Sequence, residues 1–262
     1  MAYEVVKFNP YRGIAVDRFN VEKYIDEIPL LTPKVVEEIK DSRTVYFYNQ
    51  ETRELYRVER RENGYKALVA IRPEIQYTLD INGIHMHRVK GISPLRDAWL
   101  KVEAAKVKKG HVVLDTCMGL GYTALESLKR GARVVTVEID PDVIWIARHN
   151  PYSRGLADDN VTIIRGDILE VIKVFPDDSF DEIIHDPPRL TKKTGDLYGA
   201  EFYKELLRVL KPGGLLFHYT GYPKRTRGVR LMSITMSRLS EIGFIPVTKD
   251  YRAQGVVVLK PI

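Results

Sequence analysis

In the second half of the chain, hydrophobic positions fall into short continuous runs separated by stretches with helical spacing. V-V-L-D-T (112–116), R-V-V-T-V-E-I (133–139), V-T-I-I-R-G-D (161–167), F-D-E-I-I-H-D (180–186) and L-L-F-H-Y-T (215–220) are rich in β-branched or aromatic residues and predict strands. Between them, helical patterns occupy 122–130, 141–149, 168–174 and 200–210. This alternation predicts a mostly parallel sheet with helices on both faces, because right-handed crossovers return each helix to the sheet. The end of the chain differs: a helix at 228–242 precedes F-I-P-V-T-K-D (244–250) and G-V-V-V-L-K (255–260), which read as an antiparallel hairpin. Seven strands result.

Residues before about 92 have another texture. After a helix at 33–41, the runs T-V-Y-F-Y-N, L-Y-R-V-E-R, Y-K-A-L-V-A-I-R, I-Q-Y-T-L-D-I and I-H-M-H-R-V follow one another, with Asn82-Gly83 as a tight hairpin turn between the last pair. The expected division is a small β-rich N-terminal domain at 1–92, serving substrate docking, and an α/β domain at 93–262 that opens with a helix near 95–107.

The strand ends carry the chemistry. V-V-L-D-T-C-M-G-L-G-Y-T-A passes from strand through a glycine turn into a helix, and Gly119 and Gly121 allow a ligand close to the backbone. Glu138 ends the next strand, where a carboxylate can accept two ribose hydroxyls. Gly119-x-Gly121-x-x-Ala124 with an acid seventeen residues after Gly121 satisfies a loose dinucleotide fingerprint. Asp115 argues against that ligand, because a carboxylate repels a pyrophosphate; toward S-adenosylmethionine the sign reverses, since the acid can receive the methionine ammonium directly or through water. Asp167, after Gly166, can accept a hydrogen bond from an adenine amino group, and Ile168 can pack on the ring. In H-D-P-P-R (185–189), Pro187 and Pro188 stop the strand and fix Asp186 at its carboxyl end.

In this order, the motifs resemble those of class I S-adenosylmethionine-dependent methyltransferases. D-T-C-M-G-L-G-Y-T is similar to that family's first motif, with Cys117 in place of the commoner glycine; V-E-I-D-P resembles its second, G-D-I its adenine-contacting motif and D-P-P-R the catalytic motif of amine methylases. The whole chain also resembles a group of predicted archaeal methyltransferases. The resemblance implies a Rossmann-like sheet and S-adenosylmethionine as cofactor, held by Asp115, Cys117, Gly119, Gly121, Glu138, Asp167 and Ile168. It further implies that Asp186, Pro187 and Pro188 orient an acceptor amine. Arg189 departs from the pattern, which has an aromatic ring there; a guanidinium can stack or bind phosphate, and a non-aromatic acceptor gains ground.

Charge bears on the acceptor. The chain of 262 residues has a net charge of +6, and between Arg189 and Arg230 ten basic residues stand against three acidic ones. Ligands of open α/β sheets bind at the strands' carboxyl ends, where Arg189, Lys192 and Lys193 follow the fourth strand and Lys224, Arg225 and Arg227 the fifth. Tyr198, Tyr203, Tyr219 and Tyr222 are interleaved as stacking candidates. A solvated face is the plain reading of such a charge run; a rim for RNA, tRNA or rRNA, with Arg189, Lys192, Lys193, Tyr219, Lys224 and Arg225 contacting the substrate, is the sharper one. The expected activity is N-methylation of an amino nitrogen, with an exocyclic RNA base amine as acceptor. An aminopropyltransferase resembling polyamine synthases, a small-molecule amine methyltransferase and a non-catalytic RNA-binding module stay open as alternatives.

Other features bound the class. Cys117 is the single cysteine, which excludes an intrachain disulfide and argues against a cysteine-based zinc site. His85 and His87 alternate on one strand face with no third ligand at metal spacing, so no metal is expected. The N-terminus lacks a signal or transit pattern and no apolar run reaches membrane length, which suggests a cytoplasmic protein. Abundant Lys, Arg and Glu beside three glutamines suggest a thermophile.

Overall fold

A computed structural model describes residues 3–73, 75–191, 194–221 and 225–262, with the side chains of 225–229 outside the description. The strands are β1 (Glu4–Val6), β2 (Gly13–Val16), β3 (Tyr46–Asn49), β4 (Glu54–Arg57), β5 (Glu59–Arg60), β6 (Lys66–Val69), β7 (Thr78–Ile81), β8 (Ile84–His85), β9 (Val112–Asp115), β10 (Arg133–Glu138), β11 (Val161–Arg165), β12 (Phe180–His185), β13 (Leu210–Tyr219), β14 (Ile245–Asp250) and β15 (Gly255–Leu259). The α-helices are α1 (Pro33–Asp41), α2 (Pro94–Ala104), α3 (Tyr122–Lys129), α4 (Pro141–His149), α5 (Ile168–Val171), α6 (Ala200–Val209) and α7 (Arg225–Ile242).

The large sheet has the order β1-β11-β10-β9-β12-β13-β15-β14. Strands β9 to β13 run parallel to one another, and β15 pairs antiparallel with both β13 and β14. Val113, Leu114, Ile183 and Ile184 are wholly buried because helices cover both faces, which is why these strands read as unbroken apolar runs. Helix starts follow local chemistry. Ser93 accepts from the Arg96 amide ahead of Pro94, and Asp140 accepts from the Asp142 amide around Pro141.

The expected seven strands are joined by an eighth. Glu4–Val6 pairs antiparallel with β11, so the first residues of the chain lie in the large sheet and not with the small sheets that follow. A three-residue strand with an exposed valine carries too weak a period to be read in advance. Likewise the run L-Y-R-V-E-R divides at Val58 between two small sheets, β2-β3-β4 and β5-β6-β7-β8. The Asn82-Gly83 turn has positive φ at both residues, 51° and 82°, as a type I′ hairpin requires.

The small sheets are packed onto the α/β layer. Phe47, Leu68 and Leu79 share one buried cluster with Tyr122, Ile146 and Leu156. Polar contacts join them too: Tyr122 donates to the Tyr77 carbonyl at 2.7 Å, and the buried Lys66 reaches Asp140 at 2.6 Å and Asp142 at 2.8 Å. Because Asp140 follows closely after Glu138, the small sheets brace the end of β10 directly. Among the described residues no helix is long and apolar enough to cross a membrane.

Candidate active site

The glycine turn after β9 is held by carboxylates at two strand ends. Asp115 is fully buried, and its oxygens accept from Thr123 Oγ1 at 2.9 Å and Thr136 Oγ1 at 2.6 Å. Burial raises its pKa to about 7 against the pull of the two hydroxyls. With a hydroxyl bonded to each oxygen, Asp115 ties β9, β10 and α3 together beneath the turn. Cys117 makes a 3.7 Å contact with Thr116 Oγ1, and burial pushes its thiol well above its ordinary pKa, which disfavours the nucleophilic thiolate.

The two glycines have different reasons. At Gly121 (φ +77°) an added Cβ would stand 2.5 Å from Leu156 Cδ1, so the close approach is to the protein's own core. At Gly119 (φ +54°) an added Cβ would meet nothing within 4 Å, so this side of the turn is open. The Gly119 amide donates to Glu138 Oε2 at 2.9 Å and the Asp140 amide to Oε1 at 3.0 Å. Those bonds aim the carboxylate, while burial raises its pKa to about 7. Asp167 caps α5 by accepting from the Leu169 amide at 2.9 Å, and Ile168 is buried beside it. Ile139, which follows Glu138, is 61% exposed, and its trace in the sequence is an apolar residue between two acids in E-I-D. An open glycine edge, a backbone-aimed carboxylate and an exposed apolar residue fit a nucleoside whose sugar and base lie across the ends of β9, β10 and β11.

Asp186 stands at the end of β12 on a sheet neighbour of β9, with its side chain 19% exposed. Its Oδ2 accepts from the Lys101 Nζ at 2.5 Å. Lys101 belongs to α2, is 3% exposed, also reaches Asp97 Oδ2 at 3.1 Å, and lies 4.3 Å from the centre of the Tyr219 ring. Arg88, from the segment that follows β8, pairs with Asp97 from the other side. The result is an alternating file, Arg88, Asp97, Lys101, Asp186, running from the N-terminal region to the D-P-P motif. Burial alone would lower the Lys101 pKa, but Asp186 and Asp97 outweigh it and raise it. Sequence reading missed Lys101; the i, i+4 pair Asp97–Lys101 on α2 was its only local trace.

Behind Asp186 the side chains are buried and hydrogen-bonded, and burial favours the neutral form of both histidines, His185 and His218. His185 is fully buried, accepts from Thr116 Oγ1 at 2.7 Å and donates Nε2–H to the Leu197 carbonyl at 2.9 Å. Burial holds its pKa well below the ordinary value. Tyr203 meets His218 at 2.9 Å, and Tyr198 donates to the Pro188 carbonyl at 2.9 Å. Both tyrosines are buried, which corrects their expected role as stacking platforms: they pack the sheet and tie the proline loop. Pro187 is buried and Pro188 exposed, and Tyr219 is half-buried beside Lys101.

The basic rim separates into parts. Lys204, Arg208 and Lys211 pair with Glu201, Glu205 and Asp181 and form an ordinary solvated face. Arg189 is exposed at the mouth, next to the exposed Leu190. Lys192, Lys193, Tyr222 and Lys224, and the side chains of Arg225 and Arg227, lie outside the described residues. His85 faces Asp80 at 3.5 Å and His87 meets Thr78 Oγ1 at 2.9 Å.

Residues 113–214 match the family model described as a methyltransferase domain. An uncharacterized protein of Methanocaldococcus jannaschii is 50% identical over 223 residues, covering 85% of this chain and 75% of that protein. The ribosomal RNA large subunit methyltransferase I of Aeromonas hydrophila is 33% identical over 125 residues, 45% of this chain and 32% of its own. The chain thus spans about a third of that relative's length. Among solved structures, spermidine synthase from Thermotoga maritima superposes with a TM-score of 0.58 at 20% identity, covering 77% of this chain and 71% of that one, a likeness of fold alone. With its strand order, its glycine turn and this relative in Methanocaldococcus jannaschii, the chain belongs to the family of that archaeal protein and is a class I S-adenosylmethionine-dependent methyltransferase.

Proposed function

We propose that the enzyme methylates an amino nitrogen, and that the acceptor is an exocyclic amine of a base in RNA. The observation that carries the reading is Asp186 at the end of β12, one oxygen held by Lys101 and Oδ1 accepting no hydrogen bond among the described residues. Tyr198 takes the Pro188 carbonyl and not that of Pro187, the preceding residue. Asp186 Oδ1 and the Pro187 carbonyl then accept the two N–H groups of the amine and direct its lone pair outward.

S-adenosylmethionine supplies an electrophilic methyl group on a sulfonium. On the cofactor side, Glu138 accepts the ribose hydroxyls, Gly119 admits the chain of the ligand, and Asp167, Ile168 and Ile139 border the adenine. Asp115 and Cys117 shape the turn from beneath. Methyl transfer is an in-line displacement, so the acceleration comes chiefly from holding nitrogen, carbon and sulfur in line. The nitrogen's surplus proton leaves by way of the Asp186 carboxylate to solvent.

RNA as acceptor is supported by the ribosomal RNA methyltransferase relatives and by the exposed Arg189 in a basic segment, with Lys192, Lys193, Tyr219, Lys224 and Arg225 as proposed contacts and the N-terminal region as docking surface. The test is transfer of labelled methyl to total RNA from cells lacking the gene. Loss of transfer in Asp186→Ala with retained S-adenosylhomocysteine binding supports the reading; unchanged transfer overturns it.

A further inference from the structure

The charge file that ends on Asp186 has a consequence for the choice of acceptor. A lone carboxylate beside a sulfonium site would attract ammonium groups, and a cationic amine would be the natural guest. Here that place is taken. Lys101 Nζ sits 2.5 Å from Asp186 Oδ2 and 3.1 Å from Asp97 Oδ2, over the Tyr219 ring at 4.3 Å, and it is 3% exposed. Carboxylates on two sides and an aromatic face on a third are the surroundings that recognise an ammonium ligand. Asp97 is in turn neutralised by Arg88, which is 18% exposed. Within this file two cations stand against two anions, and the Asp186 charge is answered by Lys101.

We infer that Lys101 is a specificity-determining residue: a built-in counter-cation that closes Asp186 to ammonium substrates and leaves its second oxygen for the N–H of a neutral amine. The inference rests on the reading of Asp186 as the amine acceptor, and it adds the electrical character of the substrate. Neutral aryl-type amines, such as those of nucleobases, are uncharged at neutral pH and gain from one fixed acceptor. Aliphatic amines are protonated and would have to displace a lysine that is covalently tethered to the site, whose effective concentration no free ligand matches.

The experiment is calorimetric titration of putrescine into the protein saturated with S-adenosylhomocysteine. Wild type and Lys101→Arg are expected to bind no putrescine, whereas Lys101→Met, which keeps length and loses charge, gains binding at least tenfold tighter. Asp186→Asn in the Lys101→Met background removes the gain, which a merely structural role for Lys101 would not predict. Tight putrescine binding by wild type, or no gain in a folded Lys101→Met protein, overturns the inference. If Lys101→Met does not fold, Asp97→Asn with Lys101→Met removes one charge of each sign and is expected to show the same gain, its absence counting equally against the inference. The two readings fail differently: if Asp186 is not the amine acceptor, Asp186→Ala keeps methyl transfer while Lys101→Met still captures putrescine.

Discussion

The cofactor side and the acceptor side of the sheet ends are built on opposite plans. On the cofactor side, Asp115, Thr123, Thr136, Gly119 and Glu138 lie within one strand–turn–helix–strand unit and satisfy one another through short hydrogen bonds. On the acceptor side, Arg88, Asp97, Lys101, Asp186 and Tyr219 come from an N-terminal segment, a helix and two strands, joined by ion pairs. A compact unit recurs as a sequence pattern, whereas a site assembled from distant segments exists only once they are packed.

The comparison is tested most severely at Asp186. Replacing it with alanine removes a positioned acceptor, worth roughly 10²–10⁴ in rate, and leaves the buried Lys101 with Asp97 as its remaining carboxylate partner. Methyl transfer to RNA should fall by that factor while S-adenosylhomocysteine affinity, set on the other side, stays within about twofold by calorimetry. A matching loss of cofactor affinity would show that the two halves are one unit.

The glycines separate stability from binding within the cofactor half. Gly121→Ala meets Leu156 at 2.5 Å and a positive φ, so chemical denaturation should show a loss of about 2–4 kcal/mol. Gly119→Ala meets open space and should cost only about 1 kcal/mol of stability, its main effect being weaker S-adenosylhomocysteine binding. Equal denaturation curves for the two variants would break that distinction.

Glu138 gives the cofactor half a pH dependence. Its carboxyl is pushed up to about 7 by burial, and only the ionised form accepts both ribose hydroxyls, so cofactor affinity should rise between about pH 6 and 8. Protein without cofactor has the reverse sign. Burial favours the protonated carboxyl, so the stability that Glu138 contributes is complete below 4.5 and is lost as pH rises through about 7. Glu138→Gln should flatten the affinity profile and weaken binding about tenfold, as loss of a charged hydrogen-bond acceptor does.

The smallest effects lie on the rim. Arg189→Ala should lower RNA affinity and reduce the salt slope by about one counterion, measured by filter binding at several salt concentrations. Lys204→Ala removes an exposed pair with Glu201 and should change neither RNA binding nor stability by more than about 0.5 kcal/mol. Equal losses in the two would favour diffuse attraction over a contact at the mouth.

The sequence alone determined the alternating strands and helices, the glycine turn, Glu138 and the strand end at Asp186, because each depends on neighbours within a few residues: apolar runs, capping side chains and prolines act locally. It left out β1, whose three residues become a strand only by pairing with β11, and it set Tyr198 and Tyr203 on a surface that the packing of α6 against the sheet encloses. The partnership of Asp186 was likewise decided by tertiary structure. Lys101 is 85 residues away in the chain, and an ion pair between buried groups depends on where a helix docks, which no local pattern encodes.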